Sequence, residues 1–498
     1  MIRGYVEQPS PCAGERLRLR VATDAPQFRV DFYRWGAALT GHGRSEWLPG
    51  RDAPLHLPFS DWGEPGVGLD GEPLEAWPSY ELGVPSSWSS GCYLAVLVEG
   101  DEKGRPLLAS GPDPTSAAGA AASPDPTSAA APRIGTAEVG GAWGGFDLPG
   151  SALFVVRPAP GSAPANLLYK VPLFTYHAYN LVAPQCYDPA TRQGHWCLYN
   201  LPRPREVPRP FPESVNLHRP GGGAGGAPYD TFNFDPLDPT PRQTFGHWDA
   251  RMVHWLEGEG YSLDYCTDFD LHTLGQPLLE PHRLLVSAGH DEYWSEEMRT
   301  AVEGFTTAGG NAAFFAGNVA WWQIVFDTPY SFSRPLQWHE VPGRPENLMT
   351  GVSFRNGGER DRDDHPTPVG YRVQHPDHWA YAGTGVRSGE VFGDRAEEYL
   401  VGYECDGAHF DRADLTAGRD VAPSGLDGTP GDFTILGVGD TRASGWAMGN
   451  GAATMGVFSP GGTVFTAGTT DWPRVLTQGS AVVARVTRNV LDHLGRVS

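Results

Sequence analysis

From residue 165 onward the chain alternates short apolar runs with amphipathic stretches, and this alternation constrains its fold more than any other feature. Residues 166–173 predict a buried strand. Residues 248–260 predict a helix, because Met252, Val253, Trp255 and Leu256 share one face and Gly258 and Gly260 follow as stops. Residues 263–266 and 283–288 read as further strands. The stretch 295–308 reads as a helix with Ser295 as N-cap and Glu296 and Glu297 in its first turn, closed by Gly309 and Gly310. A strand at 311–316 follows. Strands joined through helices make βαβ units, so the pattern predicts a largely parallel sheet with helices on both faces. Later strands are expected at 401–405, 433–438, 454–458 and 463–467, then a last helix at 481–494.

The first hundred residues show no helical period. Residues 15–34 alternate apolar and polar around a turn at 24–26, predicting two half-buried antiparallel strands, and 92–98 reads as another. A β-sandwich is the expected solution. The motif P-D-P-T-S-A-A occurs twice, at 112–118 and 124–130, in Pro/Ala/Ser text too poor in large apolar groups to build a core. Residues 152–157 (A-L-F-V-V-R) then supply one more strand. The expectation is therefore a sandwich over 1–160, carrying a disordered insertion at about 104–150, and an α/β domain over 161–498.

Charge narrows the partners. The chain holds 37 Lys and Arg against 59 Asp and Glu, a net −22, which opposes binding to nucleic acid or an anionic membrane surface. No apolar run approaches the ~20 residues that span a bilayer. The opening M-I-R-G-Y-V-E-Q-P-S-P contains no export signal, so a cytoplasmic location is expected. Six cysteines form no C-x-x-C pair and are read as free thiols, with Cys186 and Cys197 near enough in sequence for a loop disulfide.

In an open α/β sheet, ligands sit beyond the carboxyl ends of the strands. Those ends carry F-T-Y-H-A-Y-N (174–180), A-G-H-D-E-Y-W (288–294), F-F-A-G-N (314–318), Tyr403 with Glu404, and A-G-T-T-D-W (467–472). The second places His290, Asp291, Glu292 and Tyr293 between a buried strand and a capped helix. Such residues bind metal or move protons, or an acid there merely caps the helix; both readings stand. No Ser or Cys occupies the turn, which opposes a G-x-S-x-G nucleophile elbow. H-E-x-x-H is absent, and His177, His195, His247, His254 and His290 share no ligand spacing. Tyr176, Tyr179, Tyr187 and Tyr199 gather near the first strand end and read as a pocket wall.

The motifs T-Y-H-A-Y-N, C-L-Y-N, W-L-E-G-E-G-Y-S-L-D-Y-C-T-D-F-D-L-H, G-H-D-E-Y-W-S-E-E-M-R, G-G-N-A-A-F-F-A-G-N, G-Y-E-C-D and A-G-T-T-D-W, in this order over about 165–475, resemble the large (beta) subunit family of N,N-dimethylformamidase. The resemblance implies a lectin-like sandwich followed by a glutamine-amidotransferase-like α/β domain. It implies a mononuclear iron, in the ferric state, held by Tyr179, Tyr199 and Glu292, with Tyr176 the alternative to Tyr179. Near the metal it implies His290, Asn318 and Glu404 as pocket residues, and in the expected mechanism Glu404 transfers the proton while His290 and Asn318 stabilise the oxyanion. The expected activity is hydrolysis of the carbon–nitrogen bond of a small amide. The expected assembly is a homo-oligomer or a complex with a small partner subunit. The competing reading is a carbohydrate- or ligand-binding protein whose α/β domain is catalytically inactive.

Overall fold

In the computed structural model the described residues are 2–53, 77–107, 150–180, 198, 214–226, 237–238, 240–359, 367–442 and 448–496. Among these residues eight strands precede residue 160: β1 (Arg3–Val6), β2 (Arg16–Ala22), β3 (Gln27–Trp35), β4 (Leu39–Arg44), β5 (Leu48–Pro49), β6 (Ser79–Gly83), β7 (Gly91–Gly100) and β8 (Ser151–Val156). They form a three-stranded sheet, β1-β2-β6, facing a second sheet, β4-β3-β7-β8, with β5 also paired to β3. The strand pair expected over 15–34 exists, but its members lie in different sheets: β2 pairs with β1 and β6, and β3 with β4, β5 and β7.

The second sheet is buried on both faces. Phe28, Val30, Tyr93, Ala95, Phe154 and Val156 point into the sandwich core. Their neighbours Trp35, Cys92, Leu94, Leu153 and Val155 belong to the core of the layers that follow. This is the period-2 alternation of a strand with apolar groups on each side. Polar contacts join the same surfaces: the Trp35 indole donates to Ala250 O (2.8 Å), and Arg34 grips Glu257 with two nitrogens (2.7 and 2.8 Å).

The remaining strands are β9 (Leu167–Val171), β10 (Ser214–Asn216), β11 (Leu263–Thr267), β12 (Leu284–His290), β13 (Tyr293–Ser295), β14 (Asn311–Gly317), β15 (Trp322–Thr328), β16 (Ser331–Gln337), β17 (Ser353–Glu359), β18 (Tyr371–Val373), β19 (Val391–Phe392), β20 (Glu404–Gly407), β21 (Thr434–Asp440), β22 (Ala452–Phe458) and β23 (Val464–Thr466). A nine-stranded sheet runs β11-β9-β12-β14-β23-β22-β21-β18-β19. Its first five strands are mutually parallel. Every later pairing is antiparallel, so the sheet is mixed and not the largely parallel one expected. Two-residue side-chain alternation again sorts the faces. Val286 and Phe315 pack with the helices Asp249–Gly258 and Ala481–Leu494, while Leu285 and Phe314 pack with the helix Glu296–Thr307.

In the parallel half, the strand met first in the chain (β9) lies between the second (β11) and the third (β12). The order reverses between β9 and β12, and such a switch point opens a crevice at the carboxyl ends of the strands.

Candidate functional site

Two segments enter that crevice. β9 runs through Pro172 into a helical turn, Leu173–Ala178, whose residues are all buried; the expected strand over 166–173 is thus shorter, and T-Y-H-A is helical. β12 continues past the apolar run to Gly289 and His290, pairing His290 with Gly317 of β14. Gly289 has φ 68°, and a Cβ there would stand 2.4 Å from the Trp248 Cβ, so only glycine allows this approach. Beyond β12 the chain makes the short strand β13, and Ser295 caps the next helix by accepting the Met298 N–H (3.3 Å), as its position predicted.

His290, Glu292, Asn318 and Glu404 meet here at 0, 2, 2 and 3 % exposure, and burial strengthens every charge interaction among them. His290 Nε2 lies 2.6 Å from Glu404 Oε2 and 3.5 Å from Glu292 Oε2. Its Nδ1 is 2.8 Å from Gln243 Oε1. Asn318 Nδ2 donates to the same Glu404 oxygen (2.9 Å). The Tyr179 ring packs on the His290 imidazole, with centroids 5.4 Å apart. Tyr176, three residues earlier, belongs elsewhere: its hydroxyl donates to Asp249, which also accepts from the Tyr169 hydroxyl. Burial raises Asp249 to about 7 even with those donors, and burial beside Asp249 pushes Tyr176 well above the usual tyrosine range.

The frame around these groups is strained. Among the described residues, four of the five non-glycine positions with positive φ flank this site: Gln243 (60°), Asn318 (52°), Ala320 (55°) and Tyr403 (29°). Each such residue costs about 1–3 kcal/mol and persists only where its surroundings impose it. Asp406 accepts the N–H groups of Asn318 (2.9 Å) and Val319 (3.2 Å), Asp291 O accepts from Ala320 N (2.9 Å), and Glu292 O accepts from Trp322 N (3.0 Å). Glu292 N donates to Thr175 Oγ1 (3.0 Å), tying H-D-E-Y to T-Y-H-A. Burial raises Asp406 to about 8, with Glu346 and Glu404 adding to the rise.

Glu404 opens β20, which pairs with β17 outside the nine-stranded sheet. The expected strand at 401–405 is therefore displaced toward 404–407, because the left-handed Tyr403 breaks extended backbone before it. Thr470, from A-G-T-T-D-W, holds Glu404 by accepting its N–H at Oγ1 (3.3 Å) and donating its own N–H to Glu404 O (3.1 Å). Gly317 lies so near that a Cβ would meet Glu404 O and Thr470 N at 2.7 Å.

Tyr199, Tyr187, His195, Cys186, Cys197 and the 111–133 duplication lie outside the described residues. Leu198 is described, and its N–H donates to Ala178 O (2.8 Å). Cys12, Cys92, Cys266 and Cys405 are buried free thiols. Among the described residues, no group of three His, Cys, Asp or Glu side chains is arranged to hold a metal ion. No helix among them is long and apolar enough to cross a membrane. Sequence reasoning missed Gln243, Thr175 and Asp406. The last two sit inside recognised motifs, whereas Gln243 follows no strand and carries no signal.

Comparison with known proteins adds the family. The family model described as N,N-dimethylformamidase beta subunit-like, C-terminal, matches residues 70–484. The N,N-dimethylformamidase beta subunits of an Alcaligenes species and of Paracoccus aminophilus are each 27% identical over 209 residues, covering 36% of this chain. The match spans 27% of the length of those curated relatives. A ThuA-like protein from Parabacteroides merdae superimposes with a TM-score of 0.28 at 12% identity, over 50% of this chain and 85% of that one. By the extent of the family match, this chain belongs to the N,N-dimethylformamidase beta subunit-like family.

Proposed function

We propose that this chain carries the centre of an amide hydrolase, with a mononuclear ferric iron held by Glu292, Tyr179 and Tyr199. The observation behind the reading is the convergence of Glu292 and Glu404 on one imidazole nitrogen at the switch point of the sheet. Two carboxylates aimed at one nitrogen repel unless positive charge lies between them. A buried carboxylate and a buried phenol, each against the His290 ring, are also hard-oxygen donors of the kind that suits ferric iron. Leu198, the chain neighbour of Tyr199, is bonded to Ala178, the chain neighbour of Tyr179, which supports joining the two tyrosines in one ligand set. When bound, the ion supplies Lewis acidity, acidifying a water and polarising the amide carbonyl.

The chain's own residues handle the proton. Hydrolysis joins a water oxygen to the carbonyl carbon, breaks the carbon–nitrogen bond and returns the water's proton to the departing amine. Glu404 Oε2 takes and returns that proton, sharing it with His290 Nε2 across 2.6 Å. Asn318 Nδ2 fixes the carboxylate by donating to the same oxygen. The hydrogen bonds of His290 and Asn318 are thus directed at Glu404, and we read both residues as serving the base before any oxyanion role. The second-first-third strand order supports reading this layer as glutamine-amidotransferase-like. The relatives are named as beta subunits, which supports a partner subunit for this chain.

Iron content, the visible band of ferric tyrosinate and turnover of a panel of small amides test the reading on one preparation. Glu404→Gln is expected to keep iron, colour and melting temperature and to lose roughly 10²–10⁴-fold in turnover. An iron-free, colourless protein that binds a ligand without hydrolysing it would support the binding-protein alternative. A stable, iron-replete and fully active Glu404→Gln enzyme would end the assignment of Glu404.

A further inference from the structure

We propose that Gln243 is a positioning residue that holds the His290 imidazole with its Nδ1–H toward the amide oxygen and Nε2 toward Glu404, and that Tyr403 sets the sense of that amide. The inference rests on reading His290 and Glu404 as the proton-moving pair. Gln243 Oε1 is 2.8 Å from His290 Nδ1, while Gln243 Nε2 donates to the Tyr403 hydroxyl (3.2 Å). In this arrangement the amide nitrogen is turned to the tyrosine and its oxygen to the imidazole, and an acceptor facing Nδ1 requires Nδ1 to carry a proton. Nε2 is left as the nitrogen that exchanges a proton with Glu404.

The backbone gives an independent sign. Gln243 and Tyr403 come from separate segments, one before the helix Asp249–Gly258 and one before β20, and both hold left-handed φ values of 60° and 29°. Neither is Gly or Asn, so both conformations are strained, and strain of this kind concentrates where the direction of a side chain matters. Both are buried, at 1 and 2 % exposure, which keeps water from exchanging for the amide. The Arg242 guanidinium lies over the Tyr403 ring at 4.4 Å, and the Trp248 ring stands 6.0 Å from it, so the hydroxyl is aimed by packing on two sides.

The test uses the full chain with Gln243→Leu, Gln243→Glu and Tyr403→Phe. Iron-loaded protein gives kcat, KM, iron content and melting temperature. Iron-depleted protein labelled with ¹⁵N-histidine gives the His290 tautomer, assigned against His290→Gln. Gln243→Leu should lower kcat by roughly 10²-fold, the lower end of what a positioned acid–base group contributes, with KM and iron content near wild type. Its His290 should show mixed tautomers in place of a single Nδ1–H form. Gln243→Glu, which still offers an acceptor, should restore both readouts. Tyr403→Phe frees the amide to turn while keeping the ring that stands edge-on to His290 at 6.0 Å, and should mix the tautomers too, so the inference stands on that variant if Gln243→Leu fails to fold. An unchanged Nδ1–H signature in a folded Gln243→Leu or Tyr403→Phe protein would overturn the inference. So would a kcat loss in Gln243→Leu no larger than its loss of iron. If the wild type hydrolyses no amide, the hydrolase reading fails while the tautomer comparison still decides the role of Gln243.

Discussion

Two buried polar clusters meet at the end of β12, and consecutive residues belong to different ones. Asp291 joins Lys170, whose ammonium is bonded to Asp291 (2.8 Å) and Asp268 and lies over the Trp294 ring at 4.8 Å. Asp291 also accepts from the Trp294 indole (2.9 Å) and the Ser287 hydroxyl, and Asp268 accepts the Phe174 N–H (3.0 Å). This cluster rests on regular strands and on a helix capped by the reciprocal Thr267 and Asp270 bonds. His290 and Glu292, on either side of Asp291, join Glu404 and Asn318 in a frame of left-handed residues. Both clusters are buried and charged. Regular backbone with a central cation marks the one that supports the fold, and strained backbone with converging carboxylates marks the one arranged for chemistry.

Breaking the first cluster should have the largest effect. Lys170→Met leaves Asp268 and Asp291 buried without their cation, at a cost of about 3–5 kcal/mol. Burial already raises Asp268 to about 7 with Lys170 beside it. Thermal unfolding should show a large drop in melting temperature or no soluble protein; a wild-type melting curve would refute the structural role. The two tyrosines sharpen the comparison further. Tyr179→Phe should reduce iron content and shift the visible band with a small change in melting temperature. Tyr176→Phe should leave iron and colour intact and cost about 1–3 kcal/mol, since Asp249 loses a buried donor. Loss of colour on Tyr176→Phe alone would transfer the ligand assignment to Tyr176.

Much of the supporting layer was legible in the sequence. The helix Ala481–Leu494 shows its face as Val483, Val486, Val490 and Leu494, and the Ser295 cap announces the helix Glu296–Thr307. The strands run past the expected ends at 288 and 316, because apolar text stops before the hydrogen-bonded ladder does. Alternation over 15–34 revealed which residues face a core but not which strand pairs with which, since partner choice depends on contacts distant in sequence. The strands after 433 follow one another without intervening helices, which is the signature of antiparallel neighbours and marks where the βαβ pattern stops. The motif glutamate and histidine were visible at strand ends. Gln243 was not, because its link to His290 spans 47 residues and leaves no local pattern.

Asp406 bears on the strained cluster through pH. Its carboxyl holds the left-handed turn at Asn318, and burial raises it to about 8, whereas in an unfolded chain it ionises near pH ~4. Between those values the folded state binds one more proton than the unfolded state. The stability this group contributes is therefore full below pH ~4 and lost as pH rises through about 8. The buried His177 and the half-buried His378, held below the usual range by desolvation, act with the opposite sign in acid, so the useful quantity is a difference in which they cancel. Asp406→Asn is neutral at every pH. Its melting temperature should gain on wild type from pH 5 to about pH 8 and then level off, and a pH-independent gap would show that the carboxyl does not titrate in that range.

The smallest effect is expected where the two clusters are not touched at all. β7 and β8 are antiparallel neighbours, with Val96 opposite Ser151, although 50 residues separate Gly100 from Ser151. A connection of that kind needs only enough chain to turn, and the entropy of closing it grows with the logarithm of its length. Deleting residues 111–133, the duplicated Pro/Ala/Ser text, shortens it by about half and should stabilise the protein by roughly 0.5 kcal/mol on that ground alone. Iron content, colour and amide turnover should match wild type, because no residue of either cluster falls in the segment. A rise of a degree or two in melting temperature fits the expectation. A marked fall, or loss of turnover with iron retained, would mean that this stretch packs on the sandwich or reaches the site, and the division between supporting and reacting regions would then have to include it.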